Sequence, residues 1–349
     1  AAMFIATLSV APALRAKAGL LVVGVAIMSV FIGLMQVSGG VGRGLYFYQI
    51  TNVGAAVGFF SNRNHLATLL LMAVPFLTLL LPAAGSKHLL PSAEIGRRVM
   101  AGALLVLICV GILLTGSRAG IALLLPTVAL TYATILRTSR GFSPWPVLLG
   151  AAALGGLVIV GLLYGPFYER IVERSSSLED DVRVYVAPIV GRAGWDNFPV
   201  GTGFGTFDPV YRALAGETNL RPYFVNHAHN DYLELWLTGG LPALLILGVF
   251  LWWGYRVAAF NWRTRTANPS AVARVATIAV IVVLLHSFVD YPLRTAAVSA
   301  LFGMVCALQL VAVVPTRQVS RRRATGPAPA IDFARPRQLR SARAEKADI

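Results

Sequence analysis

Charge is the first scarcity in this chain. Only 13% of its 349 residues are Asp, Glu, Lys or Arg, while 56% are hydrophobic, and its mean hydropathy of +0.69 is too high for an ordinary soluble protein. A pair of soluble domains is excluded on that ground, although the length would accommodate it. Cysteine is nearly absent. Cys109 and Cys306 both sit inside apolar stretches, which leaves no support for a disulfide framework or a zinc site. The first residue is not Met, and no basic stretch leads into a small-residue cleavage site. The chain therefore reads as N-terminally incomplete, without a signal peptide. Acidic residues are half as numerous as basic ones, 15 against 30, giving a formal charge of +15. In a soluble protein that excess would suggest nucleic acid; here topology accounts for it.

The chain does have apolar runs of about twenty residues, the length that a bilayer core of about 30 Å requires of a helix. They lie at 18–36, 65–84, 99–115, 119–136, 146–165, 233–254, 272–289 and 296–315. The expected fold is an all-α polytopic membrane protein with about eight transmembrane helices. Residues 1–14 read as the end of a further helix, and the aromatic, Gly-rich stretch 45–60 as interfacial or re-entrant. Four regions follow: an N-terminal transmembrane bundle over 1–165, one large loop region over 166–232, C-terminal transmembrane helices over 233–316, and a basic disordered tail over 317–349. Counted on alternate sides of the spans, one side holds 20 Lys and Arg and the other 10. The richer side, with the tail, is expected to be cytoplasmic. The loop region carries more acids than bases and is placed outside. Nucleic-acid binding is then unnecessary, and the tail reads as a solvated or lipid-headgroup-facing segment or a partner-docking arm.

With that topology the unusual polar residues share one membrane surface. Ser61, Asn62, Arg63, Asn64 and His65 open the second span, Ser117 and Arg118 the fourth. Asn226, His227, His229, Asn230, Asp231 and Glu234 open the sixth, and His286 and Asp290 close the seventh. Singly, each could be a capping or snorkelling residue. Together they mark a functional site, because ionisable groups at membrane depth are costly. In NHAHNDYLELWLTGG, His227 or His229 at a helix start can act as a general base near neutral pH. His227, His229 and Asp231 also have the H-x-H-x-D spacing of some metallohydrolases. No further His follows nearby, and the loop is too short for such a domain, so no metal is expected. The piece PVGTGFGTF lacks the third Gly of a dinucleotide fingerprint. Its glycines either admit an anion to backbone N–H groups or let the loop turn tightly. Upstream, DVRVYVAPIVGRAGWDNFP reads as an amphipathic helix against the membrane surface, carrying Arg183 and Arg192. Arginine suits a phosphate or diphosphate because it is permanently charged and bidentate.

FFSNRNHLATLLLMAVP, LLTGSRAGIALLL, DVRVYVAPIVGRAGWDNFPVGTGFGTF, HAHNDYLELWLTGGLP and HSFVDYPLR, in this order and on these sides, resemble the O-antigen ligase and O-antigen polymerase superfamily over about residues 58–310. In the ligases a His-Asn pair, nine residues and a Gly form a hallmark; His229, Asn230 and Gly240 match it. Where the pattern then has Gly, Thr or Tyr, this chain has Ala243, and ligase and polymerase both stay open. The family has about twelve spans, so roughly the first third is expected to be missing. The resemblance implies a GT-C-type fold in the bacterial inner membrane with the site facing the periplasm. It implies an undecaprenyl-diphosphate-linked glycan donor, and as acceptor lipid A core, a growing polysaccharide or a protein hydroxyl, with no cofactor. His229 would be the base. Arg183 and Arg118, then Arg63 and Arg221, would bind the diphosphate. Asp290 and Glu234 would orient His229 or hold arginines, and Asn64, His65, His227 and Asn230 would complete substrate binding. A lipid-linked-glycan flippase and a non-catalytic membrane scaffold are the alternatives.

Overall fold

The computed structural model describes residues 1–39, 44–81, 90–138, 182–215, 225–263 and 271–310. Its helices are α1 (Ala2–Ser9), α2 (Pro12–Ser38), α3 (Arg63–Phe76), α4 (Pro91–Thr115), α5 (Arg118–Thr138), α6 (Val182–Asp196), α7 (Phe207–Ala215), α8 (Asp231–Arg263), α9 (Ala271–His286) and α10 (Ala296–Leu308). No strand occurs among the described residues. The predicted span 146–165, Arg221 and the tail 317–349 lie outside them.

The axis is α3. It is apolar around nearly its whole circumference, so it must be enclosed, and every residue from His65 to Phe76 is buried. α2, α4, α5 and α9 surround it. Small residues permit the approach: a Cβ at Gly120 of α5 would stand 2.8 Å from the Ala67 Cβ of α3. Five helical stretches are long and apolar enough to cross a membrane: Lys17–Ser38, Arg63–Leu80 (α3 with its 3-10 extension), Ser92–Thr115, Arg118–Ile135 and Asp231–Arg263. They coincide with five predicted spans. α9, with 16 residues, and α10, with 13, are apolar but shorter than predicted. α9 gives way at Ser287–Asp290 to a turn that carries site residues. The segment 45–60 is non-helical. Gln36 holds it, donating to the Leu45 and Gly58 carbonyls and accepting from the Val57 and Gly58 amides.

α8 contains a break. Gly240 sits at φ 52°, ψ −148°, a conformation open in practice only to glycine. Leu241 N–H turns to the Pro199 carbonyl, Thr202 N–H donates to Leu237 O, and Gly203 N–H to Thr238 O. Pro242 has no N–H, so it would have left the Thr238 carbonyl without a partner in any case. The PVGTGFGTF loop thus satisfies the groups that the break releases. Its amides at 201–203 donate inside the protein. Of its two predicted uses, the tight turn is the one realised there, with Gly201, Gly203 and Gly205 all at positive φ. α6, α7 and the start of α8 share a second small core formed by Val186, Val190, Phe207, Tyr211 and Leu237.

Candidate functional site

Capping brings the polar residues to one end of the bundle. The Asn62 side chain accepts from Asn64 N–H at the start of α3. α4 stops at Gly116, φ 60°, and α5 restarts at once because the Ser117 hydroxyl accepts from Gly120 N–H. The Asn230 carbonyl oxygen accepts from the Tyr232 and Leu233 amides to start α8, while its NH2 donates to Phe288 O. Asp231 N–H donates to the Ser287 and Asp290 carbonyls, and the Ser287 hydroxyl donates to the Asp231 carboxylate at 2.8 Å. The start of α8 and the end of α9 are thereby fastened together.

Within this frame His229 Nδ1 lies 3.2 Å from Asp290 Oδ1. An ionised carboxylate only accepts, so Nδ1 carries a proton, which in the neutral imidazole leaves the lone pair on Nε2. The His229 side chain is 21% exposed and that of Asp290 0%. His229 is the one described non-glycine residue at positive φ (50°). Its flanks fix it there: Ala228 N–H donates to Glu234 Oε2 at 3.0 Å, and Asn230 and Asp231 are bound as above. On the other side of Asp290, His65 Nε2 stands 3.7 Å from Oδ2. His286 Nδ1 lies 2.9 Å from the Thr68 hydroxyl; that hydroxyl gives its proton to Asn64 O, so the imidazole is the donor. Burial works against the charge on Asp290. The His229 hydrogen bond and the histidines at 65, 229 and 286 outweigh it, holding the carboxyl below its ordinary value. The Tyr291 ring packs against His65, His227 and His229. Its hydroxyl bonds to Asn62 and Asn226, and burial followed by the Asp290 charge raises its pKa.

His227 takes a different partner. Its Nδ1 donates to Glu234 at 3.0 Å, and Arg294 pairs with Glu234 and Asp231, each at 3.5 Å. The H-x-H-x-D residues therefore turn to three separate partners. Among the described residues no group of three or more His, Cys, Asp or Glu could hold a metal. Of the arginines, Arg183 donates Nε–H to the Val289 carbonyl at 2.6 Å, one residue from Asp290. The Arg63 guanidinium borders Gly116, in the turn that leads to exposed Arg118. Arg294 and Tyr291 were absent from the predicted site. Both follow Asp290 in DYPLR, and the Arg beside acids was the available signal.

The family model described as O-antigen ligase matches residues 103–248, a stretch that contains Arg118, Arg183, His229 and the glycine of the α8 break. No curated protein matches the chain. The match ends short of Asp290 and begins after His65, which join the site through the fold. With five membrane-length apolar helices and this matched segment, the chain is similar to the O-antigen ligase family over residues 103–248.

Proposed function

We propose that the protein is a glycosyltransferase of the bacterial inner membrane. On this reading it moves a glycan from an undecaprenyl diphosphate carrier to an acceptor hydroxyl at the periplasmic face, as a surface polysaccharide ligase or polymerase. The observation that carries it is the His229–Asp290 pair, a partly open imidazole whose Nδ1–H is engaged by a fully buried carboxylate 3.2 Å away. His229 Nε2 takes the proton of the acceptor hydroxyl as that oxygen bonds to the anomeric carbon. The bond from this carbon to the diphosphate oxygen breaks, and its electron pair leaves with undecaprenyl diphosphate. Asp290 stabilises the imidazolium that forms. Arg183 and Arg118, with Arg63 and Arg221, meet the charge developing on the diphosphate as permanent cations. Attack opposite the leaving group inverts the anomeric centre. Glu234 and Asn230 hold the loop that presents His229, Asn64 and His227 lie at the same end of the bundle, and buried His65 faces Asp290 from within. The acceptor is lipid A core or a growing polysaccharide.

The test is complementation of a strain lacking the gene, with His229→Ala and Arg183→Lys variants, reading surface polysaccharide by gel and lipid-linked glycan by mass spectrometry. Loss of polymer with accumulation of undecaprenyl-linked precursor, at unchanged protein level, is the expected result. Single repeat units in that precursor identify a polymerase, long chains a ligase. Full activity in both variants would overturn the proposal in favour of a flippase or scaffold.

A further inference from the structure

Residues 197–206, between α6 and α7, carry no charge, yet the loop turns its large apolar side chains outward. Val200 is 69% exposed and Phe204 70%, and Trp195, at the adjoining end of α6, is 69% exposed. The loop is fastened in this arrangement. The Pro199 carbonyl and the Thr202 and Gly203 amides are engaged by the α8 break, and Trp195 and Phe198 pack on Trp236, with ring centroids 4.9 and 5.9 Å away. These side chains cannot fold inward without undoing the break.

The loop meets α8 at Leu241, where an outward apolar column begins and continues through Leu245, Ile246, Val249 and Trp252. At the far end of the column, exposed Tyr255 and Arg256 stacked over Trp252 at 5.4 Å form an aromatic and basic girdle of the kind found at headgroup level. From Leu241 to Tyr255 the helix rises roughly 21 Å at 1.5 Å per residue. That is shorter than a bilayer core of about 30 Å; past Tyr255 the helix adds exposed Phe260 before it ends at Arg263, and at the other end the apolar surface continues beyond Leu241. The outward side chains of the loop lie there.

We propose that residues 197–204 insert into the adjacent lipid leaflet as an apolar anchor, covered by phospholipid acyl chains, with Asp196 and its partner Arg192 left at the headgroups. The anchor fixes the His229–Asp290 pair, which opens the same helix, at headgroup depth, where the diphosphate of a lipid-linked donor lies. The proposal rests on α8 being a membrane span and not on the transfer chemistry.

The test places single cysteines at Val200→Cys and Phe204→Cys in the full chain and labels them with bimane. The labelled protein is reconstituted in phosphatidylethanolamine and phosphatidylglycerol vesicles. Cys109 and Cys306 stay in place because both are buried. Quenching by doxyl-labelled phosphatidylcholine is compared with quenching by aqueous iodide, calibrated by Ile246→Cys on the lipid side and Arg212→Cys on exposed α7. Labels at 200 and 204 are expected to follow Ile246, with lipid quenching several-fold above that of Arg212→Cys. If they follow Arg212→Cys, the loop is in water and the proposal fails. If neither quencher reaches them, protein covers the loop, a second copy or another segment, and the proposal also fails. An Ile246 label that escapes the lipid quencher would instead overturn the span reading beneath it.

Discussion

Replacing Gly240 with Ala should unfasten the start of α8 from the rest of the helix. The added Cβ would collide with the Pro199 carbonyl oxygen and stand 2.7 Å from the Gly201 nitrogen, both backbone atoms that cannot swing aside. The φ of 52° with ψ of −148° costs a non-glycine residue about 1–3 kcal/mol. Moving residues 199–203 away forfeits three backbone hydrogen bonds, at about 1 kcal/mol each. The total is about 4–6 kcal/mol. At about 2 °C per kcal/mol for a chain this long, the melting temperature in detergent should fall by about 8–12 °C. Gly248 and Gly254, in the same helix, have nothing within 4 Å of an added Cβ. Gly248→Ala and Gly254→Ala should therefore be neutral, or stabilising by up to about 1 kcal/mol. The measurement is fluorescence-detected thermal unfolding of all three variants beside the parent. A Gly240→Ala protein that melts with Gly248→Ala would refute the break as the element holding loop and helix together.

Asp290→Asn removes the charge that stabilises the imidazolium and offers an NH2 that can hold His229 in the opposite tautomer, and should lower the rate of glycan transfer by about 10²–10⁴-fold with little change in donor affinity; near-parental turnover in proteoliposomes would refute the base assignment. Because the Asp290 carboxyl is held below its ordinary value, its stabilisation is fully present above about pH 4 and is lost as pH falls through the folded value. Parental melting temperature should therefore drop more steeply below pH 4 than that of Asp290→Asn, and parallel curves would contradict this. Gln36→Leu strands two carbonyls and two amides, at about 1–3 kcal/mol for each group left buried, and should open residues 45–60 to limited proteolysis. Arg183→Ala should reduce kcat/KM by about 10²–10³-fold, whereas Arg192→Ala, which removes only an exposed pair with Asp196, should leave it unchanged.

Hydrophobic run length located α2, α3, α4, α5 and α8, because a spanning helix needs one property over about twenty residues. The break in α8 was not legible in the same way. A Gly within an apolar run is compatible with an unbroken helix, and the partner that stabilises the break lies some forty residues upstream. Pro242 was the remaining local sign. Gln36 resembled any other polar residue near a helix end, since its partners are carbonyls and amides 9–22 residues away. Topology put His229, Asp290 and Glu234 on one surface, but two carboxylates were available to two histidines. The pairing came from geometry: Asp290 receives His229 across 61 residues, and Glu234 receives His227 and Arg294.

Between the side-chain bonds of Ser287 and Asp290, the turn after α9 offers backbone to its neighbours. Phe288 and Val289 present carbonyls to Asn230 and Arg183, and their side chains are exposed. Phe288 also packs its ring on Tyr232, with centroids 4.4 Å apart, but many residue types could stand at 289 and leave the bond to Arg183 intact. Inserting or deleting one residue there would shift every carbonyl along the turn and swing Asp290 away from His229. Position 289 can therefore drift in composition while the length of the turn stays fixed.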